Sequence, residues 1–270
     1  MLKFSANLSM LWKDVSFVER LHRAASASFG AVEFLWPRDE DLDAVVRAKE
    51  RAGVNVVLHN MDAGDIPAGE RGFANDPRRR NEWQIAFLRA LELANRLHCA
   101  QINCLVGNDV GFIPRDAQFQ IIRENLAWGL PQARAMGITL LIETLNPIET
   151  PRYLLTSTRN TVAFIESLRN PNVKLQYDIY HMQRAEGNLI ATIRANAARI
   201  AHVQIADAPG RNQPGTGEIA WTRVLGALEE TGYAGYVGLE YNPTGATDDS
   251  CAWLPRDKRK ECRAIDLMIQ

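Results

Sequence analysis

Four side chains with oxygen donors stand at the ends of four apolar runs: Glu143 in TLLIETLNP, Asp178 in VKLQYDIYH, Gln204 in ARIAHVQIAD and Glu240 in GYVGLEYNP. They follow one another at intervals of 35, 26 and 36 residues, each close to one strand-plus-helix unit of roughly 30 residues. Three carboxylates and an amide carbonyl are hard donors. Brought together they suit Mg²⁺ or Mn²⁺ better than zinc, whose dedicated sites favour His and Cys. Taken singly, each buried carboxylate would need its own partner to offset the cost of desolvation. Few Lys or Arg lie in these runs to serve. One shared divalent cation satisfies all four.

The segments that must position this set alternate between two kinds. Strand-like runs rich in Val, Ile, Leu and aromatics cover Lys3–Ser9, Ala31–Trp36, Val54–Asn60, Ala100–Gly107, Thr139–Leu145, Val173–Tyr180, Ile200–Asp207 and Gly235–Asn242. Several are almost continuously apolar, as strands buried on both faces are. Amphipathic stretches separate them at Ser16–Ser28, Asp41–Ala52, Glu82–Leu97, Ala117–Met136, Arg159–Leu168, Leu189–Arg199 and Trp221–Thr231, with Gly30, Gly53, Gly137 and Gly232 placed as helix C-caps. Eight strands with long crossovers predict a single α/β domain, a (β/α)8 barrel over residues 1–270, with a C-terminal tail from about 250. Strand carboxyl ends then share one mouth, which is where barrels of this kind carry chemistry. No GxGxxG or GxxxxGK[ST] run follows a strand, which removes the usual nucleotide-binding reading.

Other residues are candidates for holding a substrate. His181 lies three residues beyond Asp178, and His59 closes the third strand run. Arg71 in AGERG and Arg211 in PGRNQPG sit in the two long Gly/Pro-rich loops at the mouth, and a guanidinium fork suits a substrate carboxylate. The alternative for each arginine is a loop acid, Glu70 or Glu218. Glu33, in the middle of the second strand run, is a candidate for supporting a ligand from behind. His202, two residues before Gln204, reads as a hydrogen-bonded core histidine.

Composition narrows the partners. Lys plus Arg number 31 against 32 Asp plus Glu, so no positive excess exists to hold a nucleic acid. No apolar run approaches the ~18 residues that span a bilayer, so no membrane is expected, and the N-terminal segment is too broken by Lys3, Asn7 and Lys13 for a secretory signal. Four cysteines without framework spacing indicate reduced thiols and a cytoplasmic protein. The tail from Trp253, with Ile265, Leu267, Met268 and Ile269 among its charges, is expected to form a helix for a partner subunit in a homo-oligomer.

The strand-end Glu143, the run YDIYHMQR, the strand VQIAD and the run GLEY resemble the xylose-isomerase-like barrels. The segments FSANLSMLW, HN-x-x-AGD with AGERG, INCLVG and PGTGEI bring the resemblance closest to the hydroxypyruvate isomerases. Together they span Phe4 to about Tyr241. The resemblance implies a barrel, one divalent metal, and Glu143 and Glu240 as the paired proton donor and acceptor. Many sugar isomerases and epimerases of the superfamily carry His where this chain has Gln204, and Gln matches the hydroxypyruvate branch. The expected reaction interconverts hydroxypyruvate and tartronate semialdehyde through an enediolate. A sister isomerase of a four-carbon 2-oxo acid, such as 2-oxo-tetronate, stays open beside it, and a sugar epimerase less so. A metal-dependent endonuclease on the same barrel would need a histidine-rich site and a basic face, against five histidines and a net charge of −1.

Overall fold

The computed structural model describes residues 1–269. Eight parallel strands close on themselves: β1 (Leu2–Asn7), β2 (Ala31–Phe34), β3 (Asn55–Asn60), β4 (Gln101–Asn103), β5 (Thr139–Glu143), β6 (Val173–Asp178), β7 (Ile200–Ile205) and β8 (Tyr236–Leu239). Each pairs with the next, and β1 pairs with both β8 and β2 to shut the ring. Crossover helices α1 (Phe17–Ser26), α2 (Leu42–Ala52), α3 (Arg80–Leu97), α4 (Arg115–Ala135), α5 (Thr158–Ser167), α6 (Ile179–Ala185), α7 (Leu189–Asn196) and α8 (Trp221–Glu230) surround them, and a short α9 (Thr247–Ser250) follows β8.

Local chemistry sets these boundaries. At the start of α2 the Asp41 carboxylate accepts the Asp43 N–H at 2.9 Å, and Gly53 ends that helix at φ 67°, a conformation that costs glycine nothing. Ser157 caps α5 in the same way, a contribution of about 1 kcal/mol for such a cap. One helix departs from expectation. α6 begins directly at the end of β6, with Asp178 as its N-cap, where the apolar Ile179 and Tyr180 suggested more strand.

Strand alternation divides the side chains into two populations. Phe4, Phe34, Ile142, Leu175, Val203 and Leu239 belong to the apolar core beneath the helices. The inward set is polar for a barrel of this kind, which is usually filled with Val, Ile and Leu: Ser5, Asn7, Glu33, Asn103, Gln176, His202 and Gln204 are all buried there. All four cysteines are buried and free.

The C-terminal segment corrects the expected helix. Pro255 and a 3-10 turn at Arg256–Lys258 lead into a short strand, β9 (Glu261–Cys262), which runs antiparallel to Leu2 and Lys3 of β1. The segment packs between the end of α1 and α8. Arg259 bonds the Ala27 carbonyl at 2.6 Å, the Ala264 N–H bonds Glu229 at 3.0 Å, and Trp253 meets Phe4 edge-on. Leu267 is buried, whereas Ile265 and Met268 face outward. Among the described residues no helix is long and apolar enough to cross a membrane.

Candidate active site

Glu143 ends β5, Asp178 ends β6, Gln204 stands one residue before the end of β7, and Glu240 follows β8. Strand register staggers them. Asp178 pairs with Gln204, but Glu143 pairs with Gln176, and Glu240 lies two residues beyond Gly238, the partner of Gln204. Tilted, sheared strands place successive ends at different depths. Ligand atoms of Glu143, Asp178 and His181 lie within 4.8 Å of one another, all buried. Glu240 is turned toward Arg211, whose guanidinium donates to its Oε2 at 2.7 Å and stands 4.0 Å from Asp178 Oδ2.

The electrostatics of the cluster follow from crowding. Burial, then repulsion from Glu240 and Asp178, holds the Glu143 carboxyl well above the usual carboxylate range, although Asn103 donates to its Oε2 at 2.6 Å. Glu240 is pushed up to about 8, chiefly by burial and by Asp178, with Arg211 opposing. Burial works against the charge on Arg211, yet Glu240 and Asp178 attract it strongly enough to raise its pKa. Buried carboxylates that repel one another are the donor set a hard divalent cation stabilises, so the residues fit such an ion. His181 fits it less well. The Asn146 carbonyl oxygen accepts the Glu149 N–H at 2.9 Å, so its amide nitrogen is the end that meets His181 Nδ1 at 2.7 Å. Nδ1 therefore accepts, and the ring proton sits on Nε2, 3.7 Å from Asp178. Burial lowers the His181 pKa to about 4, so the ring is neutral.

Above these groups is a cavity of about 220 Å³ lined by Glu143, Glu240, His181, Arg71, Arg211 and Asn60, with Met10, Leu35, Ile66, Leu105 and Leu145 as apolar walls. Arg71 is held by backbone: its Nη1 bonds the carbonyls of Ile66 at 3.0 Å and Glu70 at 2.6 Å. The Glu70 carboxylate turns away to Arg79 and to the Asp65 N–H, so it does not pair with Arg71. Glu218 meets Gln183 and not Arg211. His59 is not brought to the cavity. Asn60 faces inward, so His59 faces out, stacked on Phe34, with burial lowering its pKa to about 4. Residues that the motifs did not single out also meet here. Asn103 ends β4, four residues short of the end expected for that run, so the strand-end pattern passed over it. Glu149, held by Tyr180 and Arg184, sits in an aperiodic loop that gives no signal.

A family model described as xylose isomerase-like TIM barrel matches residues 21–256. The chain belongs to that family. It is 39% identical over 254 residues to the hydroxypyruvate isomerase of Escherichia coli, covering 94% of this chain and 98% of that one. It is 35% identical to the 2-oxo-tetronate isomerase of Haemophilus influenzae, covering 96% and 100%. A crystal structure described as AP endonuclease, family 2, from Brucella melitensis superposes with TM-score 0.90 at 37% identity, covering 94% and 98%. D-psicose 3-epimerase from Clostridium cellulolyticum, at 20% identity and TM-score 0.74 over 92% and 88%, shares the fold. This xylose isomerase-like barrel is an isomerase, as are the curated relatives that match it over nearly its whole length.

Proposed function

We propose that this enzyme isomerises a small 2-oxo acid, hydroxypyruvate to tartronate semialdehyde or the reverse, by proton transfer through an enediolate. The observation that carries the reading is the pair Glu143 and Glu240 facing one cavity that Arg71 and Arg211 also line. Glu143, Asp178, Gln204 and Glu240 would hold a divalent cation, Mg²⁺ or Mn²⁺, which would supply Lewis-acid stabilisation of the charge that develops on the substrate oxygens. The chain's own residues do the rest. Asn103 holds Oε2 of Glu143 and Arg211 holds Oε2 of Glu240. Each Oε1, without a hydrogen-bond donor among the described residues, is the atom that takes or returns the proton. One carboxylate removes a proton from the hydroxyl-bearing carbon and the other delivers one to the neighbouring carbonyl carbon, while the hydroxyl proton passes to the former carbonyl oxygen, so atoms balance without a redox partner. The Nε2–H of His181 donates to a substrate oxygen. Arg71 takes the substrate carboxylate, and the leucines of the wall exclude water from the enediolate.

A four-carbon 2-oxo acid is the second reading, favoured by relatives of that name at nearly the same identity. Nucleic acid is disfavoured by the net charge of −1 and by a cavity sized for a small molecule. The test is Glu143→Gln and Glu240→Gln, each assayed on three- and four-carbon 2-oxo acids with Mn²⁺. Each should lower kcat by roughly 10²–10⁴, the span of general acid–base catalysis. In D₂O the parent should place solvent deuterium on the product carbon. Complete retention of substrate hydrogen, even after long incubation, would indicate hydride shift and overturn the proton-transfer mechanism.

A further inference from the structure

Below the mouth, Glu33 reaches from β2 across the barrel interior. It is fully buried and accepts three hydrogen bonds. Ser5 Oγ donates to Oε2 at 2.7 Å, while Asn7 Nδ2 and Gln204 Nε2 donate to Oε1 at 3.1 and 2.8 Å. His202 Nε2 stands 2.8 Å from Oε2, a close polar contact rather than an aligned hydrogen bond. β8 leaves room for this crossing: a Cβ on Gly238 would fall 2.2 Å from Glu33 Oε2.

An ionised carboxylate only accepts, so it decides which end of a neighbouring amide faces it. The Gln204 nitrogen is committed to Glu33. The carbonyl oxygen therefore lies on the opposite side, 2.6 Å from Gln176 Nε2, next to the strand that carries Asp178. That oxygen has two lone pairs, and Gln176 uses one. We propose that Glu33 is a positioning residue that holds Gln204 with its carbonyl oxygen, not its N–H, available to the cation. The inference rests on the metal-dependent reading above. It also accounts for a neutral residue in an otherwise acidic ligand set. A carboxylate at 204 would set two anions in contact across 2.8 Å, whereas an amide gives a donor to the anion on one side and an acceptor to the cation on the other.

The experiment measures Mn²⁺ binding by titration calorimetry on chelator-treated full-length protein, with thermal melts of the metal-free forms. In Glu33→Gln a single amide oxygen is left for three donors, Ser5, Asn7 and Gln204, and the new N–H allows the Gln204 amide to turn over. Mn²⁺ affinity should fall roughly 10–100-fold, the usual effect of removing a group that orients a metal ligand, while the melt stays cooperative. The double variant Glu33→Gln with Gln204→Glu restores the hydrogen bond with reversed polarity and should return affinity to within about threefold of the parent, inside that range. Because a fourth carboxylate raises affinity by itself, Gln204→Glu alone is the control: with Glu33 still opposite, it should bind Mn²⁺ more weakly than the double variant. A folded Glu33→Gln that binds Mn²⁺ as tightly as the parent overturns the proposal, and so does a double variant no tighter than the single one. Should Glu33→Gln not fold, the double variant decides alone: near-parent affinity supports the assignment, and loss of binding or of fold refutes it. A parent that binds no Mn²⁺ is a separate failure, of the ligand set itself.

Discussion

Replacing Arg71 by Ala isolates substrate binding from proton transfer. The guanidinium is fixed through one nitrogen, Nη1, on two backbone carbonyls, which leaves Nε and Nη2 without an acceptor among the described residues. Burial and then repulsion from Arg211 lower its pKa, with Glu149 opposing. A hydrogen bond to a charged group is worth about 1.5–3 kcal/mol when fully made. Arg71 is only half-buried, and screening reduces what two parallel bonds can contribute, so about 2 kcal/mol is the reasonable total. At about 1.4 kcal/mol per decade this becomes a KM roughly 30-fold higher for hydroxypyruvate. An uncharged hydroxyketone of equal length should lose little. Arg71→Lys keeps the charge but not the fork, and should recover only part of the difference. Steady-state kinetics on both substrates with all three proteins is the assay. Equal losses on the charged and uncharged substrates would refute the clamp and leave Arg71 as a loop brace.

His59 is neutral in the fold, with a pKa of about 4 against an ordinary 6.5. The unfolded state therefore binds the proton first, and stability present above pH 6.5 is lost as pH falls toward 4, by at most about 3 kcal/mol. His59→Asn should be less stable at neutral pH yet lose less between pH 6.5 and 4 in denaturant titrations; identical acid losses would contradict this. Gly238→Ala should lower the melting temperature by several degrees, because the new methyl meets a carboxylate locked by its partners and overpacking costs about 1–3 kcal/mol. An unchanged melt would show that Glu33 retreats freely.

The barrel was legible because its strands announce themselves twice, by apolar runs and by helical stretches of the right length between them. That Glu143, Asp178, Gln204 and Glu240 belong to the ends of successive strands was legible from position alone, but their relative depth was not, because strand shear staggers them. Parity separates neighbours on a strand: Asn60 facing in requires His59 to face out. Where β6 stops was harder, because Ile179 and Tyr180 suit strand and helix alike, and only the Asp178 cap marks the change. The tail misled because its apolar residues resemble a helix face, while Pro255 and the charged run after it favour turns. Contacts such as Glu33 with Gln204, 171 residues apart, have no local pattern to betray them. The same holds for Arg211 choosing Glu240 over a loop acid.

The antiparallel β9 has a consequence for how the molecule comes into being. β1 is synthesised first, yet its neighbours on one side, β8, and at its lower edge, β9, arrive last; Lys3 bonds a carbonyl 231 residues away. During translation the first strand therefore waits with open edges while the rest of the chain emerges. Closing so long a loop is slow, because its entropy is lost before the contacts reward it. The nascent barrel is an arc with two unsatisfied rims, and it becomes a ring only when its beginning and end meet.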